Sequence, residues 1–362
     1  MTKARLELSR EPILQHRRVV GELELRLPPG PESLRRAAWL GLQDSMPRAG
    51  LLSIHARVEG ATPSSWEDPS LIQVWGPRYA AYLIAAVDLP IFTVSRLPTD
   101  AKGRKRAEDL ADLLHDKLAG RRIPYGQAGY ELGFHGNRLR YAAQTGRVVI
   151  RWEGARQPIV WTVPPPEITP LDARLELARR YLHILGPATA AAFAKWAGIG
   201  AGDGWSAFAG IADELTPVRT PIGDAWILST DESSFRTSDE ASLLTSGSGG
   251  GRTGAGVAES STEPPAVRFL PSGDAYWLLY GADRELLVPD VKHRSELWTP
   301  RVWPGALLVD GDIVGTWRRA DADVSIETWR ALSSDERDAV AAEAGTMPLP
   351  ALVTPIRVTW SQ

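Results

Sequence analysis

The sequence predicts an α+β protein, mainly helical, in which tandem winged helix-turn-helix units precede a C-terminal β-rich region. Residues 102–163 read as successive helices followed by two β-rich runs, the order of a winged helix. The first 98 residues offer short helices and an apolar pair of runs, again of winged-helix size. Near the end, ALLVDGDIVGTWRR sets two β-rich arms around Asp310-Gly311, a dipeptide favoured where a tight turn needs positive φ.

Taken in order, residues 5–26 read as a helix burying Leu14, Val19 and Val20, with Gln15, His16, Arg17 and Arg18 on its wet face. Leu34, Ala37, Ala38, Gly41 and Leu42 keep helical spacing, and Pro47 restrains Met46, so this second helix is expected to end near Asp44 or Ser45. Gly50 to Val58 is a third helix, and Leu71–Trp75 with Tyr79–Ala85 closes the unit as a strand or helix pair.

KGRKRAEDLADLLHDKL then places Leu110, Leu113, Leu114 and Leu118 on one face. A turn (RRIPYG), a short helix (QAGYELGF) and a further helix (NRLRYAAQTG) lead to the strands RVVIRW and QPIVWTV. Pro164-Pro165-Pro166 is a stiff boundary before the amphipathic helix LDARLELARRYLHIL, which Gly186-Pro187 stops ahead of AAAFAKWAG. Asp231 to Pro265 is rich in Ser, Gly, Thr and Glu and reads as a disordered insertion with too little apolar surface to fold. Beyond the Asp-Gly hairpin, a helix over Ser333–Ala344 starts with the capping box Ser333/Glu336, and VTPIRVTW is a closing strand. The resulting units are 1–98, 99–166, 167–230, the insertion 231–266, and 267–362.

The chain has 362 residues, 43% hydrophobic and 23% charged, which is ordinary for a globular protein. It has no Cys, so disulfides, thiolate metal sites and a Cys nucleophile are excluded. The six His are scattered without ligand spacing, and neither a metal nor a cofactor is expected. No apolar run reaches membrane length and MTKARLELSREP lacks a signal-peptide core, so a cytoplasmic protein without a membrane partner is expected. The net charge of −3 conceals an uneven distribution, for Arg96 to Arg156 holds 13 Lys and Arg against 7 Asp and Glu. Such a basic segment is the footprint of a phosphate-tracking face, or simply a solvated surface.

Candidate chemistry begins at Gln43-Asp44-Ser45, a polar step between two apolar runs. The Gln43 carboxamide can hold a water or a base edge, or it can bridge two helices. Asn137, Arg138, Arg140 and Gln144 fall in a recognition-helix position, with Arg147, Arg151 and Arg156 on the wing. Arg179, Arg180 and Lys195 can reach DNA, although Glu176 one turn before Arg180 explains that Arg as an intrahelical pair. The hairpin's second arm carries Arg318 and Arg319.

Several strings go beyond generic patterning: GLQDSMPRAG, ARVEG, WEDPSLIQVWGPR, RRYLHILGPATAAAFAKWAG and RFLPSGDAYWLLYGADRELLVPD. Together they make the chain resemble the AlkZ/YcaQ-like family of winged-helix DNA glycosylases, which unhook alkylated purines and interstrand crosslinks. The resemblance implies a third winged helix around RRYLHILGPAT and double-stranded, damaged DNA as the partner of a monomer. It implies that Gln43 opens the catalytic motif Gln, any residue, Gln or Asp. Ser45 stands where the second amide or carboxylate belongs, and Asp44 holds the variable position. Arg78 is kept from the family's Arg-Gly-Thr-x-His stretch, but Tyr82 replaces the His and is expected to donate a hydrogen bond to phosphate or base. Asp274, Asp283 and Arg284 match recurrent polar positions that hold the C-terminal unit together, and the Asp310-Gly311 hairpin is a candidate to enter a groove beside the lesion.

Excision of an N7-alkylpurine needs little acid, because the base already leaves as a cation's neutral product. The protein must expose the lesion, place a water and stabilise the oxocarbenium-like transition state. On this basis Gln43 anchors catalysis, Ser45 and Asp44 assist, and the basic face holds the duplex. The alternative is a catalytically inactive relative that binds or sequesters lesions or regulates transcription.

Overall fold

The computed structural model describes residues 6–46, 48–154, 156–235, 265–349 and 354–361. A short strand β1 (Leu6–Glu7) leads to α1 (Arg10–Val20), α2 (Pro31–Ala37), β2 (Leu42–Gln43), α3 (Ala49–Arg57) and the hairpin β3 (Leu71–Trp75) and β4 (Ala81–Ala85). After α4 (Leu89–Thr93) come α5 (Ala101–Leu118), β5 (Ile123–Pro124), α6 (Tyr125–Glu131), α7 (Leu139–Ala142), β6 (Val148–Arg151) and β7 (Ile159–Thr162). The third stretch holds α8 (Pro170–Leu185), α9 (Ala190–Ala197), α10 (Ala201–Gly210) and the hairpin β8 (Leu215–Thr220) and β9 (Gly223–Leu228). The last comprises β10 (Val267–Leu270), α11 (Asp283–Leu287), α12 (Val291–Leu297), β11 (Gly305–Val309), β12 (Asp312–Ala320), β13 (Asp323–Thr328), α13 (Ser334–Gly345) and β14 (Arg357–Ser361).

The strands form three sheets, ordered β1-β8-β9, β2-β4-β3-β6-β7-β5 and β10-β11-β12-β13-β14. In the second, the N-terminal hairpin and the hairpin β6-β7 meet through the pair Gln73↔Ile150. Gln73 reinforces that seam, accepting from the Trp152 N–H at 2.7 Å and donating to the Trp152 carbonyl at 3.2 Å. The largest core lies around α8 and α9, where Leu177, Tyr181, Leu182, Phe193 and Trp196 pack with Trp277 and Leu278 of the C-terminal stretch.

Local chemistry sets the helix ends. Asp100, Thr169 and Thr189 each cap a helix through a side-chain oxygen, as their sequence positions require. The expected Ser333/Glu336 box closes on both sides. Asp310 and Gly311 take φ of 48° and 86°, the geometry their dipeptide favours between β11 and β12.

Several expectations are corrected. The first helix runs only from Arg10 to Val20, and Val19 is 53% exposed while Leu14 is buried. Arg17 and Arg18 face inward: Arg17 donates to the Gly186 and Pro187 carbonyls at 3.1 and 3.3 Å, and Arg18 pairs with Glu11 and Glu24. The second helix stops at Ala37, well before Asp44, because Gly41 turns left-handed against Phe92 and Tyr82 and the chain then pairs with β4. Pro47 lies outside the described residues. Leu113 is exposed beside the buried Leu110, Leu114 and Leu118. In place of one helix over 137–146 there are 3-10 turns flanking α7, ended by Gly146 at φ 74°. At the start of the stretch expected as an insertion, Asp231 pairs with His183 and Phe235 is buried against His16; residues 236–264 lie outside the described residues.

Candidate active site

Gln43 sits on the edge strand β2, opposite Tyr82 of β4. The β3–β4 turn beside it carries Arg78 and Tyr79 at φ 55° and 59°, two successive non-glycine residues in left-handed backbone. Such strain persists only where neighbours over-determine it. Here Gly198 leaves room for the Arg78 backbone, where a Cβ would lie 2.8 Å from its nitrogen, and the Trp196 carbonyl accepts from Arg78 Nη1 at 2.5 Å. Tyr79 is held by Gln144, whose Nε2 donates to its hydroxyl at 2.9 Å.

The turn thereby aims Arg78 Nη2 at Gln43 Oε1, 3.0 Å away, and the Tyr82 hydroxyl reaches the same oxygen at 3.5 Å. On the other side Gly273 packs so closely that a Cβ there would meet Gln43 Nε2 at 2.8 Å. The Tyr280 ring completes the wall, with Arg78, Lys195 and Arg284 5.0, 5.5 and 5.6 Å from its centroid. Segments distant in sequence therefore converge on one half-buried carboxamide, whose oxygen accepts closely from Arg78 and at longer range from Tyr82.

Asp44 follows on the opposite face. It is buried, accepts from the Gly50 N–H at 2.9 Å and from Gln73 Nε2 at 2.5 Å, and so fastens the start of α3 to the sheet seam. Burial raises its carboxyl above the usual range, opposed by those hydrogen bonds. Both Asp44 oxygens are thus engaged, one by Gly50 and one by Gln73. Ser45 is half-buried at the next turn of backbone.

The other expected contacts divide. Tyr82 is buried with its hydroxyl pushed up by desolvation, so it orients Gln43 and does not reach a phosphate. Arg180 is buried between Asp88, at 2.7 Å, and Glu176, at 2.9 Å, and also points inward. Gln144 is buried on Tyr79 and the Arg96 carbonyl. Arg179 is held bidentately by Glu214 at 2.8 and 2.7 Å. Arg147 pairs with Asp112, Arg151 pairs with Glu67 at 3.1 Å and stacks on Trp66, and Arg140 lies half-buried 6.0 Å from the Trp75 ring. Asn137, Arg138, Arg156, Lys195 and Arg318 are exposed, and Arg319 is half-buried. The Asp310-Gly311 turn is anchored to α1, the Gly311 carbonyl accepting from Arg18 Nη1 at 3.2 Å.

A family model described as DNA glycosylase AlkZ-like matches residues 34–347. The chain belongs to the AlkZ-like DNA glycosylase family. Streptomyces sahachiroi DNA glycosylase AlkZ shares the fold at a TM-score of 0.73 and 18% identity, over 98% of this chain and all of that one. No curated protein matches the sequence. Within this AlkZ-like chain, sequence reasoning missed Gln73, Gly273 and Tyr280. Gln73 did leave a signal, as the one polar residue in LIQVW. Among the described residues no group of His, Asp and Glu is placed to hold a metal, and no helix is long and apolar enough to cross a membrane.

Proposed function

We propose that this AlkZ-like protein is a monofunctional glycosylase that excises bulky N7-alkylpurines from duplex DNA, acting as a monomer built from tandem winged-helix units. The reading rests on the fixed Gln43 carboxamide: Arg78 holds its oxygen at 3.0 Å, and a water would take the second lone pair in place of the long 3.5 Å contact from Tyr82. In the reaction the C1′–N9 bond breaks, and its electrons neutralise the cationic base. The water oxygen bonds C1′ and its proton passes to solvent. Gln43, with the Ser45 hydroxyl as a weaker second acceptor, orients that water, and Lys195 and Arg284 beside Tyr280 engage phosphates flanking the lesion.

A second reading, a lesion-binding relative without turnover, is favoured by the commitment of both Asp44 oxygens to Gly50 and Gln73. The deciding experiment treats a duplex bearing one N7-alkylguanine with native protein or Gln43→Ala, then with alkali, and follows strand scission and duplex binding together. Protein-dependent scission that Gln43→Ala abolishes is the expected result. Binding without scission would move the assignment to the non-catalytic relative.

A further inference from the structure

A groove of about 900 Å³ lies between α6 and the turn that follows it, and shares no lining residue with the Gln43 site. Its walls are Tyr125, Tyr130, Phe134 and His135, with the amides of Gln127 and Gln157 at its edge. No carboxylate and no aliphatic side chain is among its lining residues, although the Gln127 amide donates to the Glu131 carboxylate at 2.9 Å and leaves its oxygen for a base edge. Tyr130 is 84% exposed, a large ring left in water without a packing reason. Gly133, at φ 79° with open space where a Cβ would stand, keeps the floor free of side chains.

Phe134 belongs also to a second groove of about 780 Å³, whose rim carries Lys102, Lys105, Arg106 and Arg138. Arg138 sits 4.6 Å from the Phe134 ring centroid. Of the acids there, Asp100 is used in capping α5 and Asp109 in pairing with Lys105. An aromatic trough with amide edges thus runs into a cationic one. Flat rings stack on bases of any sequence, amides meet base edges, and cations track the backbone.

We propose that this continuous surface binds single-stranded DNA, with an unpaired base stacked between Tyr130 and Phe134 and the adjoining phosphates on Arg138 and Lys102. The inference rests on the DNA-binding reading of the chain but not on turnover at Gln43. A duplex would bury its bases away from these rings, whereas a strand opened beside a lesion presents them.

The test measures fluorescence anisotropy of a labelled deoxythymidine 12-mer with full-length native protein, Tyr130→Ala, Tyr130→Trp and Arg138→Ala. Tyr130→Ala is expected to weaken single-strand binding about tenfold, Tyr130→Trp to restore it, and Arg138→Ala to weaken it and flatten its salt dependence. In an oligomer carrying 5-iodouracil, photocrosslinks are expected at Tyr130 or Phe134. Scission at N7-alkylguanine by native protein is recorded alongside, so failure of the glycosylase reading appears as absent scission in native protein and leaves this test readable. Equal 12-mer affinity in native protein and Tyr130→Ala would overturn the proposal, as would crosslinks confined to other surfaces or preference for a ribonucleotide 12-mer.

Discussion

Arg57 of α3 and Asp274 of the C-terminal stretch meet as a bidentate pair, Nη1 to Oδ2 at 2.7 Å and Nη2 to Oδ1 at 2.8 Å, with both side chains almost wholly buried. The Ser53 hydroxyl donates to the same carboxylate at 2.6 Å. Gly273, which walls Gln43, is the residue before Asp274, so this ion pair sets the depth of the candidate site. Removing one partner strands a buried charge: Arg57→Met should cost about 3–5 kcal/mol, and Arg57→Met with Asp274→Leu less than the sum of the single changes. Urea midpoints of the four proteins check this.

Gly273→Ala tests the wall itself. The new Cβ meets Gln43 Nε2, and the backbone there has φ 78°. Abasic-site formation should fall about tenfold or more, as for a misplaced catalytic group, while duplex affinity stays near native.

Asp44→Asn separates a cap from a base. The amide oxygen can still accept from Gly50, so scission should remain within about threefold of native, whereas loss of a general base costs about 100-fold or more. Asp44→Ala leaves the Gly50 N–H and Gln73 amide without their acceptor and should lower stability by about 1–3 kcal/mol.

Two arginine and lysine changes should part company on DNA. Lys195→Ala is expected to reduce the slope of log affinity against log salt by about one. Arg180→Ala should leave that slope unchanged and instead lower the thermal midpoint, because Asp88 loses its partner.

Burial lowers His16 and His55 to about 4 from 6.5. His55 is therefore neutral at pH 7, and its 3.8 Å approach to Glu343 is no ion pair there. Between pH 6.5 and about 4 the unfolded chain takes up protons that the folded chain refuses, so stability falls as pH drops through that window. Each His should contribute about 1–3 kcal/mol to the loss. Urea titration at pH 7.5 and 5 measures it, and His55→Gln should flatten the dependence.

Much of this was legible in the sequence because it is local. The Ser333/Glu336 cap, the Asp310-Gly311 turn and the strands at 148–151 and 159–162 depend on a few neighbouring residues. What pairs across long separations was not. Arg17, Arg18 and Arg180 read as solvent or DNA cations because their carbonyl and carboxylate partners arrive from other elements. Gln43 was readable as a polar group between apolar runs, but its companions Arg78, Gly273 and Tyr280 are assembled by a strained turn and a segment some 230 residues further on.

The single sheet that runs from β2 through β3 and β6 to β5 has one further consequence. Backbone pairing at Gln73↔Ile150, doubled by the Gln73 amide on Trp152, makes the Gln43 strand and the hairpin beside α6 parts of one sheet. That shared sheet sets the spacing between their polar surfaces. Any curvature needed for one DNA molecule to touch both must come from the nucleic acid, at sequences or lesions that already bend cheaply.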